Sequence, residues 1–473
     1  MTSVRRIQLD LSENEKAILD GQSKICNWLY NHLLDKANLL RLEYRAARSA
    51  DVAKQLYTQR GLRNMIPDIK SEKNFLCAVH SSPLKNAALR LSDSIQDYQD
   101  GKHGRRKGDQ TGWPRFRSWK KKWFSLLYDE PKKGFSVSGK KLKVYFGKNE
   151  DGKRIRTTFN LCESFPSEMS GRIRNLRITK DGSKRYFAVF TIAEKMNVFA
   201  PAIYKEPKII AFDPNHKNLV YGVGTDGVAV EIQNLTHLKL MDARIDELKS
   251  RRDKCKKKSV KVTREDDTYF WKSSRRWEFF NKKLDEAYRI RREQTKTFLY
   301  TLSNQICKQY DIISVGDYTP HGGGITTKMR RSMNNQSLIG RFKKTLKWVA
   351  FRSGKLYLEF NEKGTTRTCS ECHFVVKDGI SPEIREWTCP NCGYEHIRDE
   401  NSAKNGLVKT IQDKNLLPCS GHVPVEVSER WVWWVTSSGV QAASRGFDGL
   451  VIPNTAKKFN RRNANSSIRC GNV

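Results

Sequence analysis

The sequence of 473 residues holds no apolar run that approaches the length needed to cross a bilayer. Its start, Met1-Thr-Ser-Val-Arg-Arg-Ile7, is not followed by the apolar segment of a secretory signal. Both gaps argue against a membrane partner and predict a cytoplasmic chain. No phosphate-binding loop ending in Gly-Lys-Ser or Gly-Lys-Thr is present, so ATP-driven work has no support. There is no internal repeat, which excludes a solenoid. Acidic residues are scarce: 51 Asp and Glu stand against 88 Lys and Arg, a net charge of +37. That excess exceeds any solubility requirement and points to a polyanion partner along much of the chain. A basic ribosomal or membrane-surface protein would share the charge but leaves the acids and cysteines described below unexplained. The 38% hydrophobic content suffices for folded domains, and the length predicts about three units.

The first half reads as strands around a helical block. Residues 3–11 alternate apolar and polar, as a strand does. Residues 12–98 are predicted helical, with Ile25, Trp28, Leu29, His32, Leu33 and Ala37 on one face. Ser81-Ser-Pro-Leu-Lys-Asn starts a capped helix with proline in its first turn. Gly101-Lys-His-Gly-Arg-Arg-Lys-Gly108 reads as a flexible basic loop, and Gly112-Trp-Pro-Arg-Phe-Arg-Ser-Trp-Lys-Lys-Lys-Trp-Phe124 then interleaves aromatics with cations. Such stretches suit base stacking and phosphate neutralisation, and their candidate contacts are Arg105, Arg106, Lys107, Arg115, Arg117, Lys120, Lys121 and Lys122. Short strands follow at 141–146, 176–179 and 186–192, and with the first strand they are expected to close a small β-barrel.

In the second half, carboxylates end apolar strands. Lys208-Ile-Ile-Ala-Phe-Asp213 runs four apolar residues into one acid, and Pro214-Asn215 signals a turn. Asp311-Ile-Ile-Ser-Val-Gly-Asp317 repeats the pattern about a hundred residues later. A third acid, Asp399, opens the helical stretch Arg398-Asp-Glu-Asn-Ser-Ala-Lys-Asn405. Hard divalent ions take oxygen ligands, and a pair of ions must be held by more than one segment. Three such acids fit a two-metal phosphodiesterase site. Strands at 219–224 and 228–232, joined through Asp226-Gly227, complete a meander that fits a ribonuclease-H-like sheet. Residues 236–309 read as a basic helical hairpin broken near 259–267, and His321-Gly-Gly-Gly as a connector. A helix at 337–353 and a strand at 356–360 follow.

Four of the eleven cysteines are grouped. Cys369-Ser-Glu-Cys372 and Cys389-Pro-Asn-Cys392 form two CxxC pairs separated by sixteen residues. That spacing is the signature of a structural zinc ribbon closed by four thiolates. His373 and His396 are not required as ligands. Cys26, Cys77, Cys162, Cys255, Cys307, Cys419 and Cys470 read as ordinary thiols rather than a disulfide framework.

These segments together resemble the transposon-encoded TnpB nucleases and the compact type V CRISPR–Cas effectors. The resemblance spans most of residues 1–410 and rests on four stretches. Gly112-Trp-Pro-Arg-Phe-Arg-Ser is similar to the family's Gly-x-Pro-Arg-Phe-Lys, and Lys208-Ile-Ile-Ala-Phe-Asp213 to its first RuvC motif. Thr365-Thr-Arg-Thr-Cys369 through Cys392-Gly393 is similar to its ribbon, and residues 398–405 to its third motif. The resemblance implies a bilobed, multidomain α+β protein. A wedge-like β-barrel (1–11 and 112–205) would carry a helical recognition domain (12–111). A ribonuclease-H-like RuvC domain (206–365 and 396–412) would hold the zinc ribbon (366–395). Residues 413–473 lie beyond the resemblance as an extension whose last twenty residues read, from their polar composition, as disordered. The resemblance implies an RNA-guided DNA endonuclease with two Mg²⁺ ions at Asp213, Asp317 and Asp399 and one structural Zn²⁺. Guide RNA, target duplex and single strands would be its partners, as a monomer or dimer per guide, and base pairing would supply most of the specificity.

One departure stands out. The family usually places Glu in its second motif, often followed by Asp. Here Val315-Gly316-Asp317-Tyr318 has glycine in the slot before Asp317, whose side chain is one methylene shorter. Glu359 and Glu362 are the possible substitutes. Two rival functions follow from the same residues: a guided DNA-binding protein with weak or no cleavage, and a guide-independent junction nuclease. The latter does not need the ribbon or the large basic first half.

Overall fold

The computed structural model describes residues 2–106, 111–118, 123–149, 151–193, 207–215, 218–235, 238–263, 269–317, 338–381, 383–414, 416, 425–436 and 438–444. They divide into two compact units, one within Met1–Asn197 and one within Val198–Val473. The zinc-ribbon residues belong to the second unit, so two bodies stand where length alone predicted about three.

In the first unit, strand β1 (Thr2–Asp10) leads into helix α1 (Glu13–Ala47). Ser12 and Glu15 form a reciprocal capping box at its start, satisfying two otherwise orphaned N–H groups. The short helices α2 (Ala50–Tyr57), α3 (Gly61–Asn64) and α4 (Ile66–Glu72) lead to α5 (Ser81–Lys102), whose first turn holds Pro83 as expected. The face of α1 differs from the predicted one. Leu29, Leu33 and Ala37 are buried, but the buried stripe continues through Cys26, Tyr30 and Leu34, while Trp28 stacks on His32 toward the outside.

Strands β2 (Ser125–Tyr128), β3 (Phe135–Lys148), β4 (Arg154–Phe165), β5 (Ile173–Lys180) and β6 (Tyr186–Ala193) join β1, with the four-residue helix α6 (Ser167–Ser170) before β5. They make an antiparallel sheet in the order β2-β5-β6-β1-β4-β3. β1 pairs with β6 over Thr2 to Gln8 and with β4 only at Leu9 and Asp10, so it crosses from one half of the sheet to the other and the sheet curls. β4 was not anticipated from sequence. Its apolar positions are few, but Phe159, Leu161 and Phe165 fall at even spacing and are buried.

The second unit is built on a mixed sheet. Its strands are β7 (Ile209–Pro214), β8 (Val220–Gly224), β9 (Val228–Ile232), β12 (Ile312–Gly316), β13 (Leu356–Phe360), β16 (Glu429–Thr436) and β17 (Gly439–Ser444). The order is β13-β12-β7-β8-β9-β16-β17. β7, β12 and β13 run parallel, and β7-β8-β9 is the expected antiparallel meander. Gly227 supplies the left-handed turn residue before β9, at φ 75°.

Helices α7 (Leu238–Lys256) and α8 (Arg275–Gln309) form the expected hairpin. Its break carries a two-stranded ribbon, β10 (Val260–Thr263) with β11 (Tyr269–Lys272). Helix α9 (Ile339–Arg352) precedes β13. The antiparallel pair β14 (Glu386–Thr388) and β15 (Glu395–Ile397) leads directly into α10 (Arg398–Lys414).

Both faces of the central strands are covered, which explains their unbroken apolar runs. Ile210, Phe212, Ile313 and Val315 pack against Phe298 and Leu302 of α8 and Phe342 and Leu346 of α9. Ile209, Ala211, Ile312 and Phe360 pack against Ala403, Leu407 and Ile411 of α10. Gly406 lets α10 close on β13, since a Cβ there would lie 2.4 Å from the ring of Phe360. The strands from the Trp-rich segment had no assignment from sequence. β16 adds to the far edge in parallel with β9, and Val432 and Trp433 are buried.

Candidate metal centres

β7 delivers Asp213 at its end, and α10 carries Asp399 in its first turn. By alternation, Asp213 lies on the sheet face covered by α10. Ser402, one turn along α10, donates from Oγ to Asp213 Oδ1 at 2.8 Å. Asn215, just past β7, donates from Nδ2 to Asp399 Oδ2 at 2.5 Å. Arg385 closes the group from the other side, with Nη1 at 2.9 and 3.1 Å from the two oxygens of Asp399. Burial, reinforced by the Asp399 charge and opposed by the Ser402 hydroxyl, pushes the carboxyl of Asp213 up to about 7. Asp399 already meets the guanidiniums of Arg385 and Arg398, whereas the half-buried carboxyl of Asp213 meets the Ser402 hydroxyl, so a divalent ion at these oxygens would offset the cost of desolvating the Asp213 charge. The residues therefore fit a hard metal ion.

The other residues of the third motif have readable structural work. Asn401 is 1% exposed. Its Nδ2 donates to the carbonyl of Thr368 at 2.8 Å, and its Oδ1 accepts from Ser370 N–H at 2.9 Å. Asn405, four residues on and so on the same helix face, donates to Thr365 and Thr368 carbonyls at 2.8 and 2.7 Å. The two amides thus fasten the start of the cysteine segment to the helix that carries Asp399. Glu400 is held by Arg430 of β16 through two hydrogen bonds at 2.8 and 2.9 Å and by the Tyr221 hydroxyl at 3.0 Å.

The third acid is placed differently. Asp317 follows β12, its N–H donates to Phe360 O at 2.9 Å, and its Oδ1 accepts the N–H of Glu362 at 3.1 Å. The oxygens of Asp213, Asp317 and Asp399 do not form a tight ligand group among the described residues.

The four cysteines do. Their sulfurs all lie within 4.8 Å of one another. Cys369 and Cys392 are 3.8 Å apart, and Cys372 and Cys389 are 3.6 Å apart. A tetrahedron with zinc–sulfur bonds of about 2.3 Å has edges of about 3.8 Å, whereas a disulfide would need about 2.05 Å. The sulfurs therefore fit a structural zinc ion. Each CxxC folds the same way: His373 N–H bonds back to Cys369 O at 3.0 Å, and Gly393 N–H to Cys389 O at 2.9 Å, both residues being left-handed. The buried ring of His396 lies with Nε2 3.1 Å from Cys369 Sγ, alongside Trp387. It neighbours the thiol cluster without being needed to complete it.

The candidate nucleic-acid contacts separate. Arg105, Arg106 and Arg115 are exposed, with Arg105 3.3 Å from Asp100 and Arg106 donating to Thr111 at 2.7 Å. Arg117 instead turns inward. Its guanidinium lies 3.6 Å from the centre of the Tyr30 ring, and it donates to Asn27 at 3.0 Å. Burial draws its pKa down to about 10. Lys107, Lys120, Lys121 and Lys122 lie outside the described residues. Sequence reasoning missed Asn215 and Arg385 as partners of Asp399. Asn215 had a signal in its position two residues past Asp213; Arg385, inside the ribbon, had none.

Residues 340–406 match the Cas12f1-like TNB domain family, a span that includes β13, all four cysteines, Asp399 and Asn405. The chain is TnpB-like and Cas12f-like. Two TnpB-like proteins of Acanthamoeba polyphaga mimivirus are each 28% identical over 141 residues, 28% of this chain and 26% of the relative. The alignment therefore spans about a quarter of those relatives' length. Among solved structures, the chain resembles that of a Cas12f1–sgRNA–target DNA complex, with a TM-score of 0.50 at 12% identity over 84% of this chain and 83% of the other. That likeness concerns the α+β fold. No helix among the described residues is long and apolar enough to cross a membrane.

Proposed function

We propose that this TnpB-like chain is an RNA-guided DNA endonuclease. The observation that carries this reading is the pairing of Asp213, at the end of a central strand, with Asp399, at the start of the helix packed on the same face. Ser402 donates to Asp213, and Asn215 and Arg385 donate to Asp399. The strand order β13-β12-β7-β8-β9 fits a ribonuclease-H-like RuvC domain. The curled sheet of the first unit fits a wedge-like barrel, with α1 to α5 as its recognition insertion. The net charge of +37 supports binding to guide RNA and to target DNA, duplex and single-stranded.

Asp213 and Asp399 would hold Mg²⁺, with a third carboxylate from the region of Asp317. Magnesium at such a site activates water and offsets charge developing on the phosphate. The chain's own part is positional. Ser402 fixes the rotamer of Asp213. Asn215 and Arg385 orient Asp399, and Arg430 steadies the same helix turn through Glu400. The four thiolates would hold Zn²⁺, and Asn401 and Asn405 tie that ribbon to the catalytic helix.

The test is to purify the full-length protein from its native locus and sequence the RNA bound to it. One dominant RNA with a constant scaffold and a separable variable segment is expected. Folded, zinc-loaded protein without enriched RNA would overturn the guided reading and favour a junction nuclease.

A further inference from the structure

We infer that Arg90, Arg117 and Ser125 form a binding pocket for a phosphate group of a nucleic-acid backbone. All three belong to the first unit, and their chemistry does not depend on the metal centres. Strand alternation sets the floor of the pocket. Leu126 and Tyr128 of β2 and Leu176 and Ile178 of β5 are buried, which turns Ser125 and Arg177 to the other side. Arg90 of α5 donates from Nη2 to Ser125 Oγ at 3.1 Å, and Arg177 donates from Nη1 to the same oxygen at 2.9 Å. A hydroxyl oxygen that accepts twice has its own O–H left to donate. Arg117 completes the group, sharing one small pocket with Arg90, Ser125, Asn27, Asn86 and Trp123. The wall is already fixed: Ser23 and Asn27 of α1 both donate to the Trp123 carbonyl, at 2.8 and 2.7 Å.

The group lacks a counter-charge. Among the described residues, none of the guanidiniums of Arg90, Arg117 and Arg177 meets a carboxylate. Arg117 has the rings of Tyr30 and Trp123, centred 3.6 and 4.9 Å away, and it donates to Asn27 at 3.0 Å. Rings and amides occupy a guanidinium but carry no net negative charge. Burial lowers the pKa of all three arginines, and the charge of Arg90 adds to this at Arg117 and Arg177. Like charges drawn partly out of water without an acid are costly, and a bound anion offsets that cost. Phosphate is the anion that fits. Guanidinium forks take its oxygens in pairs, and the Ser125 hydroxyl supplies a further donor. The net charge of +37 makes a nucleic-acid backbone its source, since most contacts to nucleic acids go to phosphate oxygens.

Thermal melts and oligonucleotide binding test this on the full-length protein freed of RNA. At constant ionic strength, replacing chloride with inorganic phosphate is expected to raise the wild-type melting temperature. Arg90→Gln can still donate to Ser125 but is expected to lose that response, whereas Arg90→Lys keeps the charge and is expected to retain part of it. Ser125→Ala removes the hydroxyl and leaves the charges. It is expected to reduce the response, and it gives a second reading should Arg90→Gln not fold. With a labelled single-stranded RNA and a labelled duplex DNA, Arg90→Gln is expected to weaken binding of at least one about tenfold, whatever its sequence. The slope of log K against log salt should fall by about one for that ligand. A phosphate response that Arg90→Gln loses, with binding and slope unchanged for both oligonucleotides, would mean a free-phosphate site and overturn the assignment to a backbone. No stabilisation by phosphate over chloride, with oligonucleotide binding unchanged in Arg90→Gln and Ser125→Ala, would overturn the site and leave these arginines a structural role.

Discussion

Asp213→Asn is expected to abolish DNA cleavage and, in metal-free protein, to raise the melting temperature. The first effect follows from losing an anionic ligand. Metal-supplied stabilisation of several kcal/mol corresponds to a drop of about a thousandfold or more in rate. The second follows from burial. The carboxyl of Asp213 is held at about 7 against an ordinary 3.8, chiefly because its charge is desolvated and then because Asp399 lies nearby. Since the folded chain binds this proton more tightly than the unfolded chain, metal-free stability is greatest below about pH 4. It falls as pH rises toward about 7 and is flat above that. Asparagine removes this penalty and still accepts the Ser402 hydrogen bond.

A gain of about 1–3 kcal/mol near neutral pH is therefore expected, with a flatter pH profile in thermal melts. Mg²⁺ should stabilise the wild type more than the variant, because the ion binds the folded ligands. A variant that cuts normally, or that is destabilised without metal, would contradict the placement of Asp213.

Zinc removal is expected to produce the other large loss. Cys369 and Cys389 are almost fully buried at 0 and 1% exposed. Little apolar packing surrounds them, since neighbouring Phe374 and Val375 are exposed. The metal must therefore hold the ribbon together. Zinc binding supplies about 10–16 kcal/mol in small zinc-finger peptides, comparable with or above the net stability of a domain, about 5–15 kcal/mol.

The damage should extend beyond the ribbon. Asn401 and Asn405 bond to the backbone of residues 365–370, so loss of that segment leaves buried amides on α10 without partners. Chelation, or Cys369→Ser, should then increase hydrogen exchange across residues 365–405 and reduce cleavage in parallel. Retained protection at residues 398–405 after zinc loss would show that the ribbon and the Asp399 helix are independent.

Local patterns made most of this site legible in the sequence. Four apolar residues ending in Asp213 specify a buried strand with an acid at its tip. Two CxxC pairs specify four converging thiols. The spacing of Asn401 and Asn405 places them on one helix face. What was not legible depends on partners distant in the chain. β16 finds its edge beside β9, about two hundred residues earlier, and Arg430 meets Glu400 only because that pairing forms. The aromatics and arginines near residue 115 read alike in sequence, yet Trp113 donates to Asn38 and Arg117 stacks on Tyr30, whereas Arg115 is exposed. Gly316 looked like a defect in a motif. In the fold the carboxyl of Glu362 lies beside it, where a side chain at 316 would begin.

The most direct measurement is cleavage after exchange of the guide. Protein carrying its copurified RNA would be compared with protein carrying the same scaffold and a new variable segment, on DNA matching one or the other and flanked by randomised sequence. A Mg²⁺-dependent cut that moves with the variable segment and selects one short flanking motif is expected. A cut whose position ignores the RNA, or one that requires only branched DNA, would contradict guided cleavage.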